Sequence, residues 1–234
     1  NSNDNNEVCL KQLSDDVKLV YASVFYEATV RYAQNADIRI EEEKMAVLIQ
    51  ELVGEYYGEH FYPAISGVAQ SYNFYPYYPI KPEDGTVSLA LGFGKTIVEG
   101  ERTFRFSPVY PKLNPLVSSP QEQMSKAQNL FYSVNLKKTA NLTLQADEDY
   151  VYEKMPVSQA YKDGALEYIG STYSAENDCI YDNVNHTGLK LITFAPILKY
   201  DRLPLTKIIQ DLMLMGKKAF GSDVEIEFAI NIPK

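Results

Sequence analysis

Apolar side chains at Val17, Val20, Val24 and Ala28 recur every three or four positions behind Ser14, Asp15 and Asp16. Those three residues offer N-cap oxygens and first-turn negative charge, so the pattern predicts a helix over 15–35 after an irregular lead at 1–14. Met45 to Val53 is a β-branched apolar run that stops at Gly54, the length and chemistry of a central strand. Further strands are expected at Ile65 to Tyr72, Thr86 to Leu91 and Thr96 to Val98, and shorter ones at Asn141 to Gln145, Tyr150 to Glu153, Leu166 to Gly170 and Leu189 to Phe194. Gln121 to Tyr132 has a helical pattern. The clearest helix is the last: Leu205, Ile208, Ile209, Leu212 and Met215 share a face, Pro204 suits the first turn, and Lys217 and Lys218 precede a stop at Gly221. It leads into the alternating strand Val224 to Ile230. Helices interspersed with short strands predict an α+β chain, with mixed or antiparallel sheets flanked by helices.

Composition narrows the partners. The chain has 234 residues, 45% of them hydrophobic, which is enough to bury a core as one large domain or two small ones. A net charge of −9 from 22 basic and 31 acidic residues, with no basic block, argues against nucleic acid as a partner. No run of apolar residues is long enough to span a membrane, and the first residues lack the pattern of a signal peptide. Cys9 and Cys179 lack metal-ligand spacing and read as free thiols in a reducing cytoplasm, a single disulfide being the alternative. Pro108, Pro111, Pro115 and Pro120 mark an internal boundary near residue 110, separating a part at 15–110 from one at 111–234. Tyrosines at 56, 57, 62, 72, 75, 77 and 78, among Pro63, Pro76, Pro79 and Pro82, are read as packing of irregular connections rather than as a stacking platform.

Candidate chemistry is sparse. Glu225 and Glu227 alternate with Ile226, Phe228 and Ile230, so a strand there directs both carboxylates from one face. Two such carboxylates suit a Mg²⁺ ion that completes its shell with substrate phosphates, although a solvated strand face gives the same alternation. Gly92 and Gly94, beside Lys95, could bring backbone N–H groups near an anion or simply form a tight turn. His60 and His186 have no metal-ligand spacing around them, and there is no nucleophile elbow. The sequons at Asn141 and Asn185 carry no meaning in a cytoplasmic protein.

Five segments, in order, resemble the nucleotide-binding domain of phosphoenolpyruvate synthase and pyruvate phosphate dikinase, an ATP-grasp fold. Val20-Tyr21-Ala22-Ser23-Val24-Phe25 is similar to that family's aromatic-Ala-Ser-Leu-aromatic helix, and Met45 to Val53 to its "MAVVVQ-x-MV" adenine-hinge strand. Ser66-Gly67-Val68-Ala69 resembles "SGV-x-F", Leu91 to Gly100 resembles "YGLGE-x-VV-x-G", and Glu225 to Ala229 resembles the "D-x-E-W/F" strand that supplies Mg²⁺ ligands. The likeness spans roughly 17–232 and is poorest from 110 to 200.

The resemblance implies one composite site for ATP and Mg²⁺. Gln50, Glu51, Leu52 and Val53 would line the adenine edge, Gly92 and Gly94 would leave room for nearby chain or phosphate, and Glu225 and Glu227 would hold the metal. It further implies a cytoplasmic dikinase-type phosphotransferase, which passes a phosphoryl group through a histidine on another domain of the same parent chain to pyruvate. The fold would then be incomplete at both ends, with other phosphate-binding Lys and Arg residues lying outside this segment. The chain departs from the family in places: Glu225 stands where Asp is usual and a Tyr-rich insertion follows Gly54, while Lys95 stands where the family has glutamate, and Ala28 and Ala33 where it has arginines. The last three raise the alternative of a degenerate nucleotide-sensing or protein-binding domain in a larger regulator.

Overall fold

Contacts along the chain divide it after Leu52, into a small unit, Asn1–Leu52, and a large one, Val53–Lys234, whereas the proline run suggests a boundary near 110. The computed structural model describes residues 2–36, 38, 39, 42, 44–113, 119–139 and 150–232.

In the small unit the predicted helix is two helices. α1 (Ser2–Ala22) begins well upstream of Ser14, so the expected irregular lead at 1–14 is helical. The chain then tightens into a 3₁₀ turn, Ser23–Phe25, and restarts as α2 (Glu27–Asn35) after Tyr26, whose φ of −68° and ψ of 147° are extended. The break has a local cause. Ser23 Oγ donates to the Val20 carbonyl and Thr29 Oγ1 to the Ser23 carbonyl, diverting backbone acceptors at a run of β-branched and aromatic residues with modest helix propensity. Met45 to Val53 is not a strand: its backbone has no regular structure, and Leu48, Ile49 and Leu52 are exposed. Strand chemistry alone does not make a strand, because each N–H and C=O needs a ladder partner, and none of the described strands pairs with this run.

The large unit contains β1 (Glu55–Tyr57), β2 (His60–Tyr62), β3 (Ile65–Gln70), β4 (Thr86–Ala90), α3 (Lys95–Val98), β5 (Phe104–Phe106), α4 (Pro120–Lys126), β6 (Leu130–Asn135), α5 (Leu136–Thr139), β7 (Tyr152–Pro156), α6 (Val157–Lys162), β8 (Gly170–Ser174), β9 (Cys179–Tyr181), β10 (Leu189–Ile192), α7 (Ala195–Leu198), α8 (Leu205–Phe220) and β11 (Glu225–Ile230). These build three sheets, β1-β2-β6-β7, β11-β3-β4-β5 and β10-β8-β9, with antiparallel pairing throughout. The class is α+β, as the pattern predicts.

Three expectations change in detail. Thr96 to Val98 lies in α3, because Ile97 N and Val98 N both donate to the Gly94 carbonyl; tertiary placement of the fully buried Thr96 overrides its β-branched preference. Gln121 to Tyr132 is helix only as far as Lys126, after which the apolar residues from Phe131 onward enter the sheet between β2 and β7. Leu166 to Gly170 is a turn closed by Ile169 N and Gly170 N on the Leu166 carbonyl, with Leu166 and Ile169 serving the core from it. The strand expected at Asn141 to Gln145 lies outside the described residues.

The tyrosine-rich segment splits into two kinds. β1 and β2 form a hairpin whose Tyr62 is fully buried, stacked on Tyr57 at 4.3 Å between ring centroids, with its hydroxyl donating to Asp163 Oδ2 at 2.6 Å. This is packing, as expected. Phe74, Tyr75 and Tyr78 instead stand in solvent.

α8 and β11 form where the pattern predicts, and the αL stop at Gly221 (φ 67°) is present, but the buried face of α8 is Leu205, Ile209 and Met213, a strict i, i+4 stripe, while the expected Ile208, Leu212 and Met215 are exposed. Register then gives the second sheet two unlike faces. Residues directly opposite in an antiparallel ladder share a face, so Ile226, Ala69, Val87 and Phe106 lie on one side, with Phe228, Gly67, Leu89 and Phe104 beside them. This side joins the core that contains Leu205, Ile209 and Met213 of α8. Gly67 is a space requirement there, since a Cβ would come within 2.2 Å of the Phe228 ring.

Candidate functional site

The opposite face of that sheet is polar. Pairing sets Glu225 beside Gln70 and Thr86, and Glu227 in a row with Val68, Ser88 and Arg105. Both glutamates are exposed and alternate with half-buried Ile226 and Phe228, so the structure brings the two predicted carboxylates to one face. Glu225 Oε2 accepts from Gln70 Nε2 at 2.5 Å, and neither glutamate is ion-paired with a described residue.

Arg105, three strands from Glu227 and roughly 14 Å away at about 4.8 Å per strand, is the residue sequence reasoning missed. Its Nε donates to Thr86 Oγ1 at 2.9 Å and one terminal amine to Asn73 Oδ1 at 3.2 Å, and no described carboxylate pairs with it. The alternation Phe104-Arg105-Phe106 was the available signal. Carboxylates at one edge and a guanidinium held by neutral acceptors at the other make a face suited to a ligand that carries both metal-binding oxygens and unneutralised negative charge.

One end of this face is closed by the glycine loop. Ser66 Oγ donates to the Gly92 carbonyl at 2.6 Å, and Phe93 N donates to the Tyr132 carbonyl at 3.0 Å. Gly92 has φ 79°, and a Cβ on it would sit 2.6 Å from the Tyr132 carbonyl oxygen and 2.8 Å from the Phe131 ring. Close approach of chain to chain therefore explains Gly92. Gly94 has an ordinary φ of −59°, and the nearest atom to a Cβ there is Ser66 Cβ at 3.9 Å, so open space remains beside it. At the end of β11, Asn231 Nδ2 donates to the Gly54 carbonyl at 2.7 Å, which ties the start of the large unit to the same strand. Of the predicted adenine-edge residues, Val53 opens the large unit, while Gln50, Glu51 and Leu52 close the small one and are exposed.

Lys95 is engaged in a local network. Its Nζ lies 3.1 Å from Glu99 Oε1 and within 6 Å of the Tyr132 and Tyr152 ring centroids. Tyr132 donates its hydroxyl to Glu99, and Lys154 pairs with Glu101 over the same tyrosine ring. The Tyr132 hydroxyl and Lys95 hold the Glu99 carboxyl below the usual carboxylate range. Glu153 is likewise held down by the Asn135 amide and by His60, whose Nε2 lies 3.2 Å from Glu153 Oε2. His60 is thus a strand residue with a carboxylate partner. His186 stacks on Tyr181 at 3.8 Å.

A carboxylate whose folded pKa is depressed stabilises the fold fully above its unfolded pKa and loses that contribution as pH falls through the folded value. We therefore expect the melting temperature to drop from about pH 5 downward, and the Glu99→Gln, Glu153→Gln double variant to flatten that drop. An unchanged melting temperature between pH 5 and pH 3 would contradict these ion-pair assignments.

Among the described residues no group of three or more His, Cys, Asp or Glu side chains is placed to hold a metal ion. A Mg²⁺ ion shared with nucleotide phosphates needs only one or two protein carboxylates, and Glu225 and Glu227, neither ion-paired with a described residue, fit that donor set. No described helix is long and apolar enough to cross a membrane.

Residues 6–234 match a family model described as the pyruvate phosphate dikinase AMP/ATP-binding domain. No curated protein and no solved structure matches the chain.

Proposed function

The chain belongs to the pyruvate phosphate dikinase AMP/ATP-binding domain family, and from that premise we propose that its ATP-grasp-like fold binds Mg·ATP on the polar face of the β11-β3-β4-β5 sheet. One observation carries this reading: Glu225, Glu227 and Arg105, none of them ion-paired with a described residue, share that face, and the Gly92–Gly94 loop closes one end of it.

Glu225 and Glu227 would hold the Mg²⁺ ion, which when bound offsets negative charge on the phosphoryl oxygens. The chain's own part is positional. The β3–β11 pairing keeps the carboxylates at fixed spacing, and Gln70 orients Glu225 through its amide. Arg105, fixed by Thr86 and Asn73, supplies positive charge on the same face without needing to reorganise. The open space at Gly94 lets backbone approach a phosphate, and Val53, in the same unit, belongs to the adenine edge. One phosphoryl group would then pass to a histidine on another domain of the parent polypeptide and on to pyruvate, and the second to inorganic phosphate or water, which leaves AMP, in the cytoplasm.

Lys95 favours a second reading, a nucleotide sensor without turnover. At the position where the family has glutamate, its ammonium group is tied to Glu99 and two tyrosine rings.

The test is to incubate the full-length polypeptide carrying these residues with Mg·ATP and pyruvate and to follow the products by phosphorus NMR. AMP together with phosphoenolpyruvate is the expected result. Saturable Mg·ATP binding without turnover would establish the sensor, and the absence of any Mg·ATP binding would overturn both readings.

A further inference from the structure

Next to the sheet edge, outside the row that carries Glu227 and Arg105, lies a cavity of about 490 Å³ lined by Gln70, Tyr72, Phe74, Asp223, Val224 and Glu225. Its size falls within the range of small-molecule sites. The Tyr72 and Phe74 rings meet edge to face, 5.0 Å apart and inclined at 67°, and so form a corner with two aromatic walls. Asn73, buried between them, fixes the loop: its N–H donates to the Pro82 carbonyl, and its Oδ1 accepts from Tyr75 N and Arg105. The corner is therefore held in place even though Phe74 is 71% exposed.

The charge of the lining selects the ligand. No cationic side chain lines the cavity. Asp223 is already neutralised, 2.7 Å from Lys217 Nζ and accepting from Ser71 at 2.9 Å. Glu225 has only the neutral Gln70 amide. A carboxylate with no ion-pair partner among the described residues, in one lining with two aromatic rings, repels phosphate and attracts a cation, and when Mg²⁺ is absent the rings favour a cation with apolar flanks. From this geometry we infer that the Tyr72–Phe74–Glu225 corner binds an organic ammonium group, either as a free small amine or as the alkylated ammonium of a lysine side chain on another protein.

The experiment uses purified protein without nucleotide or metal. Choline, its neutral isostere 3,3-dimethylbutan-1-ol, and a short trimethyllysine peptide are titrated while the Tyr72 and Phe74 ring signals are followed by NMR. Choline is expected to bind at least about tenfold more tightly than the isostere, a difference of about 1.4 kcal/mol. Glu225→Gln, which preserves shape, and Phe74→Ala, at an exposed position, should each weaken it by about two- to fivefold, the scale of a cation–π contact at an exposed site. Tighter binding of the peptide than of choline would identify the protein side chain as the source, and the reverse would identify the free amine. Equal binding of choline and its isostere, binding indifferent to both substitutions, or no saturable shift with any probe would overturn the inference. Because ATP and Mg²⁺ are absent, failure here leaves the nucleotide reading untouched, and failure of that reading leaves this test valid.

Discussion

Gly92→Ala destabilises the large unit by about 2–3 kcal/mol, the sum of about 1–2 kcal/mol for a non-glycine residue in the left-handed region and the lower end, about 1 kcal/mol, of the cost of overpacking. The new methyl group meets the Tyr132 carbonyl oxygen at 2.6 Å and the Phe131 ring at 2.8 Å. Neither can give way cheaply, because β6 lies between β2 and β7 and Phe131 is almost fully buried. At a few degrees per kcal/mol the melting temperature should fall by roughly 10 °C. Gly94→Ala is the paired control: its φ is ordinary and its surroundings open, so its melting temperature should stay within about 2 °C of the parent, while any loss it shows should be in nucleotide affinity. If the two variants melt together, the loop does not pack against β6 as described, and Gly92 must be explained by a ligand instead.

Glu227→Ala should raise the dissociation constant for Mg·ATP about 50-fold, corresponding to the 2–3 kcal/mol of a lost charge-assisted contact, while leaving the weaker metal-free ATP binding within about twofold. Its melting temperature should barely move, because Glu227 is exposed and has no ion-pair partner among the described residues. Substitutions at such positions usually lie within about 0.5 kcal/mol. Glu225→Gln should act in the same direction. Glu176→Ala, an exposed acid on the turn before β9, should leave Mg·ATP affinity unchanged. Isothermal titration with and without Mg²⁺ separates these cases. Equal loss for Mg·ATP and free ATP would mean that Glu227 supports the fold or the base rather than the metal, and no loss would remove β11 from the site.

Legibility followed the range of the forces involved. α8 and β11 could be read because each is a one-sided amphipathic element. The alternation of Glu225 and Glu227 with Ile226 and Phe228 fixes the buried face of β11, and Gly221 ends the helix by its own φ of 67°; on α8 the expected face held for Leu205 and Ile209 but not for Ile208, Leu212 and Met215, because the narrow contact with the sheet takes Met213 instead. The two carboxylates were legible for the same reason, since alternation alone places them on one face. Met45 to Val53 was misread because strand formation is a property of pairs. Its β-branched residues suit a pleat, but no described strand offers a ladder to it. Thr96 was misread because burial of one residue outweighed its intrinsic preference, which is worth less than about 1 kcal/mol.

By itself, then, the sequence determined the α+β class, the closing helix and strand, the pairing of Glu225 with Glu227, and enough ordered motifs to identify the family. The tertiary structure alone decided that Gly92 answers to the backbone of β6, that Lys95 is taken up by Glu99 and two tyrosines, that Arg105 shares a face with Glu227, and that Tyr72 and Phe74 form a corner beside Glu225. The division is physical. Periodicity and conformational preference are local and act within a few residues, whereas register, close approach and charge pairing join residues as far apart as Gln70 and Glu225 and exist only once the sheet has formed.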